Sequence, residues 1–386
     1  LGGFRITWEV KQMDDVCFVE YGTRVVQKRD GGTIYPVYGG GGATFFMDES
    51  NREDCLIISR FAMSEKCTRF VKGKFFLNDS GLSIIPKNEN ELCQEFLNYQ
   101  ILSLNDCIYS LARGTAQKNL DVPKFRKMDI HFPNSINEQK RIVAILDEAF
   151  ESIAKAKESA EKNLKNATEV FESYLQSVFK NKGDGWEEKK LEEISKIFGR
   201  GKSKHRPRND KKLYGGKYPF IQTGKIRNCK HFITEYTQTY NEIGLTQSKL
   251  WPKGTICITI AANIAETGIL TFDACFPDSV IGVVVDEKSA DSGFVEYLLQ
   301  SFKIKLQALG KGSAQANINL GTFENERFPF PKSISEQQSI VVKLDTLSAE
   351  TKRLEAVYEK KLADLEELKK SILQKAFNGE LTEASV

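Results

Sequence analysis

Glu138-Gln-Lys-Arg-Ile-Val-Ala-Ile-Leu-Asp147 and Glu336-Gln-Gln-Ser-Ile-Val-Val-Lys-Leu-Asp345 are two copies of one stretch, 198 positions apart (336 against 138). The same offset carries Ser173-x-Leu-Gln-x-x-Phe179 onto Ser371-x-Leu-Gln-x-x-Phe377, and Arg113-Gly-Thr-Ala-Gln-Lys-Asn119 onto Lys311-Gly-Ser-Ala-Gln-Ala-Asn317. Upstream, Trp8-Glu-Val-Lys-Gln-Met-Asp-Asp-Val16 recurs as Trp186-Glu-Glu-Lys-Lys-Leu-Glu-Glu-Ile194, here only 178 positions apart (186 against 8). Self-similarity at a long, fixed period identifies a duplicated unit. Because the offset drifts early and then holds, insertions accumulate in the N-terminal part of each unit while the C-terminal part keeps its length. A spacer of constant length behind two divergent heads suits a molecule that reads two different things at a set separation.

The constant parts have helical periodicity. No Pro or Gly interrupts Asn137 to Lys180 or Ser335 to Asn378, and apolar residues step by three and four. The second stripe runs Leu344, Leu347, Thr351, Leu354, Tyr358, Lys361, Leu365, Leu368, Ile372, a heptad seam. The first runs Ile142, Leu146, Ala149, Ile153, Ala156, Ala160, slips near Leu164, and resumes at Ala167, Phe171 and Tyr174, as a stutter would. Ser335 with Gln338 has capping-box spacing, Pro133 and Pro331 lie just upstream, and Gly379 supplies a stop. Each helix then extends about 66 Å, too long for a compact core. Antiparallel pairing of the two seams buries both and places the heads at opposite ends of a rod.

The heads are rich in Gly, Thr, Val, Ile, Phe and Tyr. Runs such as Thr255 to Ile260 and Ser279 to Val285 read as strands, and Glu91 to Ser103 and Gly293 to Leu309 as helices. The expected fold class is α+β: strand-rich heads over 1–135 and 182–333, and spacer helices over 136–181 and 334–386, the last with the C-terminal tail.

Charge concentrates in one place. Gly199-Arg-Gly-Lys-Ser-Lys-His-Arg-Pro-Arg-Asn-Asp-Lys-Lys212 holds seven Lys or Arg against one acid, and its Gly and Pro prevent a regular helix. Such a mobile cationic loop suits phosphate and groove contact, and a solvated surface is the plainer alternative. It offers Arg200, Lys202, Lys204, His205, Arg206 and Arg208 as DNA contacts. The equivalent place in the first copy holds Arg24, Lys28 and Arg29. Next comes Tyr35-Pro-Val-Tyr-Gly-Gly-Gly-Gly42, matching Tyr218-Pro-Phe-Ile-Gln-Thr-Gly224, where glycine permits close approach of the backbone to another surface or simply a tight turn. These stretches add Tyr38, Gly40, Thr223 and Lys225, and the repeated Arg113 and Lys311 motifs complete the candidates.

At 386 residues the chain accommodates two or three domains. A net charge of +3 excludes a globally basic nucleic-acid binder. Eight scattered cysteines without a CxxC pair, beside three histidines, read as reduced and mostly buried thiols. No basic-then-apolar leader opens the chain, and the apolar stretch around Thr255 to Ala265 is too short to span a bilayer. A soluble, cytoplasmic protein without a membrane partner is expected.

The tandem plan, the Trp opening of each head, the Pro-x-x-Ile-x-Glu-Gln-x-x-Ile-Val entries (Pro133 to Val143, Pro331 to Val341) and the Ser-x-Leu-Gln-x-x-Phe exits are the relevant features. On these, the chain resembles specificity subunits of type I restriction-modification systems over essentially its whole length. The resemblance implies that each head is a target-recognition domain for one half of a gapped site in double-stranded DNA. It implies paired helices that set the gap and dock two modification subunits, which carry S-adenosylmethionine and methylate adenine, and separate restriction/translocase subunits that use ATP. The repeated Glu138, Gln139, Glu336 and Gln337 are the expected docking residues, and the chain itself is expected to hold no cofactor, metal or catalytic residue.

Two rivals remain. Pro277-Asp278 followed by Asp286-Glu-Lys288 fits the loose spacing of metal-dependent nucleases. The first copy has Asn78-Asp79-Ser80 against Pro277-Asp278-Ser279 but Pro86-Lys-Asn88 where the second acid and lysine should stand, so a strand edge with a charged turn explains both copies. A purely structural coiled-coil protein accounts for the heptads and leaves the heads unexplained. Methyltransferase Asn/Asp-Pro-Pro-Tyr, GxGxxG and Walker A motifs are absent.

Overall fold

The computed structural model describes residues 7–229, 231–261, 263–311, 318–324 and 326–382. The chain forms two compact units, Leu1–Lys162 with Glu359–Val386, and Asn163–Tyr358. Each therefore combines a head, the start of the long helix that follows it, and the end of the other long helix. Those helices are Ile136–Lys180 and Ile334–Phe377, of 45 and 44 residues. No helix among the described residues is long and apolar enough to cross a membrane.

In the first unit Trp8–Gln12 pairs antiparallel with Asp129–Pro133, which brings the chain to the start of the long helix. The head's main sheet has six strands in the order Cys17–Tyr21, Gly81–Pro86, Arg52–Ser59, Thr68–Leu77, Tyr35–Tyr38, Phe46–Met47. Its one parallel pairing sets Val37 beside Phe76. In the second unit Glu187–Lys189 pairs with Phe328–Phe330 in the same role. A five-stranded sheet follows the order Ser195–Arg200, Val280–Val285, Ile256–Thr259, Thr267–Leu270, Phe232–Ile233, beside a four-stranded one that contains Tyr214–Phe220. Here too Phe220 meets Cys275 in a parallel pairing. The Val/Ile run of Val280–Val285 is central and almost wholly buried, as a strand covered on both faces requires. The helix expected over Gly293 to Leu309 is two, Ser292–Ser301 and Lys303–Lys311. The break falls at Phe302, whose ring packs against Phe328 at 5.1 Å.

A buried glutamine ties each head to its long helix. Gln139 is 0% exposed; its Oε1 accepts from the Cys93 N–H (2.8 Å), and its Nε2 donates to the carbonyls of Glu91 (2.8 Å) and Pro133 (2.9 Å). Gln337, also 0% exposed, accepts from the Asp291 N–H (2.8 Å) and donates to the Pro331 carbonyl (3.2 Å). Cys93 and Asp291 are the N-cap residues of head helices Gln94–Ser103 and Ser292–Ser301. One amide thus joins the last strand, the head helix and the long helix. A second tie recurs six residues further along each head helix, where Tyr99 donates to Asp147 and Tyr297 to Asp345 (2.6 Å).

The helix ends close the units crosswise. Phe377 meets Phe96 (5.1 Å), which meets Trp8 (6.2 Å), in the first unit. Phe179 meets Phe294 (5.4 Å), which meets Trp186 (6.0 Å), in the second. The exit motif of each long helix therefore packs with the head that does not precede it. Lys157 with Glu366 (2.7 Å) in the first unit, and Thr168 with Glu355 (2.9 Å) in the second, show the antiparallel run of the helices within each.

Three details differ from the sequence expectation. The second helix is capped by Ser333, whose Oγ accepts from the Glu336 N–H (3.4 Å), and not by Ser335. The Glu336 carboxylate is engaged elsewhere, accepting from Trp186 Nε1 (3.0 Å). The second seam keeps Leu344, Thr351, Tyr358, Leu365 and Ile372 but alternates them with Ser348, Glu355, Leu362 and Lys369, leaving Leu354 and Leu368 exposed. Polar side chains enter this seam because they find partners there: Glu355 takes the Thr168 hydroxyl, and the Lys369 ammonium lies 4.9 Å from the Phe150 ring centre. On the first helix the exit turns one residue, burying Leu175 and exposing Tyr174. Gly379, at φ +82, ends the second helix with Glu380 N–H on the Lys375 carbonyl (3.0 Å), a Schellman closure.

Gln139→Leu and Gln337→Leu keep the volume and remove the amide. Each should cost about 1 to 3 kcal/mol for the orphaned N–H alone, read as a lower urea midpoint at unchanged slope. An unchanged midpoint would contradict the clamp.

Candidate nucleic-acid interface

Both heads release their candidate loop at the same point. After the first sheet strand, Gly22 donates to the Gly81 carbonyl (3.1 Å) and Gly201 to that of Val280 (2.9 Å). A Cβ on Gly22 would lie 2.0 Å from the Asn78 oxygen, and one on Gly201 2.4 Å from those of Phe276 and Pro277. Only glycine lets the chain pass this turn, so loops 22–34 and 201–213 leave their sheets at equivalent places.

In the second head the loop is fastened by hydrogen bonds and ion pairs. Arg200 donates through Nε and Nη2 to the Asp278 carbonyl (2.8 and 2.6 Å), and Arg208 Nη2 pairs with Asp278 Oδ1 at 2.5 Å. Arg206 Nη2 lies 3.9 Å from Asp278 Oδ2, and its Nη1 donates to the carbonyls of Ser203 (2.6 Å) and His205 (2.9 Å). His205 Nε2 is 2.9 Å from Asp210, and the Tyr214 hydroxyl holds the Arg208 carbonyl (2.7 Å). These partners come from residues up to 78 positions away, which loop composition does not reveal. Lys202 and Lys204 stay exposed and form no ion pair among the described residues. Burial and the nearby Lys202 ammonium push the Lys249 pKa down, and the Lys249 ammonium lies 3.7 Å from the Trp251 ring centre. The region is thus locally cationic within a near-neutral chain.

Beside the loop lies a recess of about 620 Å³ whose wall includes Arg208, Lys211, Tyr214, Gln222, Thr223 and Gln238. Gln222 Nε2 donates to Gln238 Oε1 (2.8 Å), so two amides stand together where hydrogen-bond donors and acceptors face solvent. Thr223 shares this wall, whereas Lys225 turns toward Glu235 (3.5 Å). The Lys311 side chain lies outside the described residues, as do residues 312–317 of its motif.

In the first head Arg24 and Lys28 are exposed, and Arg29 pairs with adjacent Asp30 (2.8 Å). Tyr38 is half-buried, its ring edge-on to Phe75 at 5.6 Å. Gly40 serves the head's own packing: a Cβ there would lie 2.6 Å from the Phe61 oxygen, and its carbonyl accepts from Ser59 Oγ (2.5 Å). Gly41 and Gly42 have open space around them. Arg113 pairs with Asp121 and shares a second recess of about 620 Å³ with Arg60 and Tyr21. Arg60 went unnoticed in the sequence. Its guanidinium lies 4.8 Å from the Tyr21 ring centre and donates to the Asp79 carbonyl (3.3 Å).

The expected docking residues separate by burial. Gln139 and Gln337 are fully enclosed by the hydrogen bonds described above and offer a partner no surface. Glu138, 4% exposed, is paired with Arg141 at 2.8 Å. Glu336 is exposed. The duplication of the glutamine marks a structural demand.

The nuclease-like pair fares no better. Asp278 is occupied by arginines, and Asp286 lies 3.7 Å from Lys196, arrangements of a charged turn.

The family model described as the type I restriction modification DNA specificity domain matches residues 5–162 and 183–365. A putative type I restriction enzyme MjaX specificity subunit of Methanocaldococcus jannaschii is 24% identical over 327 residues, 80% of this chain and 73% of that one. The EcoKI specificity subunit of Escherichia coli is 27% identical over 172 residues, 43% of this chain and only 37% of its own length. A solved structure reported under complex assembly and conformational transition of the type I R-M system covers 98% of this chain and 100% of that chain, with a TM-score of 0.78 at 19% identity. It shows a shared fold.

Replacing Lys202 and Lys204 together by Ala should flatten the dependence of log affinity on log salt by roughly two units, about 0.9 per phosphate contact. An unchanged slope would return both lysines to solvated surface.

Proposed function

Because the chain belongs to the type I restriction-modification DNA specificity domain family, its work is target recognition on DNA, and we propose that it reads a gapped site in two halves, one per head. The observation that carries this is the duplication itself: two family matches, each ending on a long helix, of 45 and 44 residues, behind a head whose loops differ. Heads over 1–135 and 182–333 act as the two target-recognition domains. The helices between them set the gap. Positively charged loops supply phosphate contacts that position the DNA, and base edges are read from the polar walls beside them.

Two modification subunits bind the chain, one for each copy of the repeated helix start, through exposed neighbours of the buried glutamines such as Glu336. Methyl transfer and ATP-driven restriction belong to those partners and to translocase subunits, and the chain directs them without a catalytic residue of its own. It does this in the cytoplasm.

Inserting one heptad at matched positions in both long helices preserves the seam and adds about 10 Å. Duplexes selected from a random pool should then show a gap longer by about three base pairs, at about 3.4 Å each, with both half-sites unaltered. Unchanged spacing would refute the helices as the ruler. Native mass spectrometry of the reconstituted complex should give two modification subunits per chain; saturation at one would count against the paired docking surfaces.

A further inference from the structure

We propose that Asp278 is the positioning residue of the second head's reading surface: it holds Arg206 and Arg208 ready for the half-site, a role that rests on the target-recognition function above. The carboxylate is shared, with Oδ1 2.5 Å from Arg208 Nη2 and Oδ2 3.9 Å from Arg206 Nη2. The same residue's carbonyl holds Arg200. Three guanidiniums therefore converge on one residue, two on its carboxylate and one on its carbonyl.

That acid sits on a rigid base. Val280 N–H closes the turn on the Pro277 carbonyl (3.0 Å), and Phe276, fully buried, stacks on Trp251 with ring centres 5.0 Å apart. The ion pairs themselves are solvent-exposed, with Asp278, Arg206 and Arg208 side chains 38%, 56% and 47% accessible, and exposed pairs add little to folding stability. Their value lies in preorganisation. A free arginine loses rotamer freedom when it docks, whereas one already held has lost it beforehand. Arg208 gives the carboxylate one Nη2 contact and keeps other N–H groups for DNA, on the wall that Gln222 and Thr223 also line.

The first head supplies a contrast. Asp79, at the equivalent turn, offers its carbonyl to Arg60, but its carboxylate forms no ion pair among the described residues. At this turn, among the described residues, the carboxylate clamp is found in the second head and not in the first.

Simple charge counting and positioning predict opposite signs. If Asp278 only repels phosphate, removing its charge tightens every DNA complex; if it positions the arginines, removal weakens the specific complex alone. The test uses the full chain assembled with its modification subunits, the duplex selected by the unaltered protein, and a duplex with the second half-site scrambled. Asp278→Asn should lower affinity for the selected duplex roughly ten- to a hundredfold, the worth of about one base contact. Affinity for the scrambled duplex should hold or rise. Asp278→Glu should recover most of the loss, Asp79→Asn should not reproduce it, and Asp278→Asn should cost far less in an Arg208→Ala background. Reading of the first half-site serves as the folding control within each variant. Equal or tighter binding of the selected duplex by Asp278→Asn, equal weakening on both duplexes, or additivity with Arg208→Ala would overturn the proposal. If the unaltered complex selects no motif at all, the recognition function itself fails; if it selects one that Asp278→Asn still reads, only the positioning role does.

Discussion

The amide of one buried glutamine per unit is the constraint around which the rest is arranged. Gln139 and Gln337 each place a donor on a proline carbonyl at or just after the end of the head's last strand and an acceptor on the N–H that opens the head helix. An amide enclosed without partners is costly, so a long helix that carries this residue near its start can dock in one position only. The Tyr99–Asp147 and Tyr297–Asp345 hydrogen bonds then fix its direction. This explains the constant offset from the head helix onward: Cys93, Gln139 and Asp147 move together with Asp291, Gln337 and Asp345, because lengthening any link would break the bonds between them.

The same geometry gives the exit motifs their meaning. Leu373, Ala376 and Phe377 complete the core that contains Ile142 and Leu146, and Leu175 and Phe179 complete the core that contains Leu344. A head with only its own helix would leave Phe96 or Phe294 uncovered. The first unit is therefore not a continuous segment of chain, and the duplicated motifs exchange their places of packing. Selection on one exit motif acts on the stability of the head of the other copy.

Much of this was legible in the residues. The duplication, the long helices and most of the first seam, stutter included, followed from offsets and apolar spacing, which are properties of the chain's own order. What escaped depends on pairs distant in sequence. A heptad reading assigns Leu354 and Leu368 to the seam because they are apolar, whereas Glu355 and Lys369 occupy it because Thr168 and Phe150 receive them. Repetition of Gln139 as Gln337 was visible, yet a polar residue at a helix start reads as surface until its hydrogen-bond partners are known. The basic loop showed its charge but not its anchor, since nothing near Arg206 in sequence points to Asp278.

Divergence between the heads is confined by the frame they share. Gly22 and Gly201 pass the same turn, and the parallel strand pairs Val37 with Phe76 and Phe220 with Cys275 occupy the same place. Immediately beyond, the first head has Gly39 and Gly40, and the second has Gln222 and Thr223. At Gly40 a side chain is barred by the Phe61 carbonyl, whereas in the second head the corresponding wall carries an amide pair and a hydroxyl. Hydrogen-bonding groups that discriminate bases must be exposed and aimed, and neither property contributes to the core. They can be exchanged without loss of the fold as long as the glycine turn and its carbonyls persist. A recognition protein that must change what it reads without changing how it assembles requires this division, with its specificity in loop and wall residues and its assembly in the buried amides and crossed helix ends.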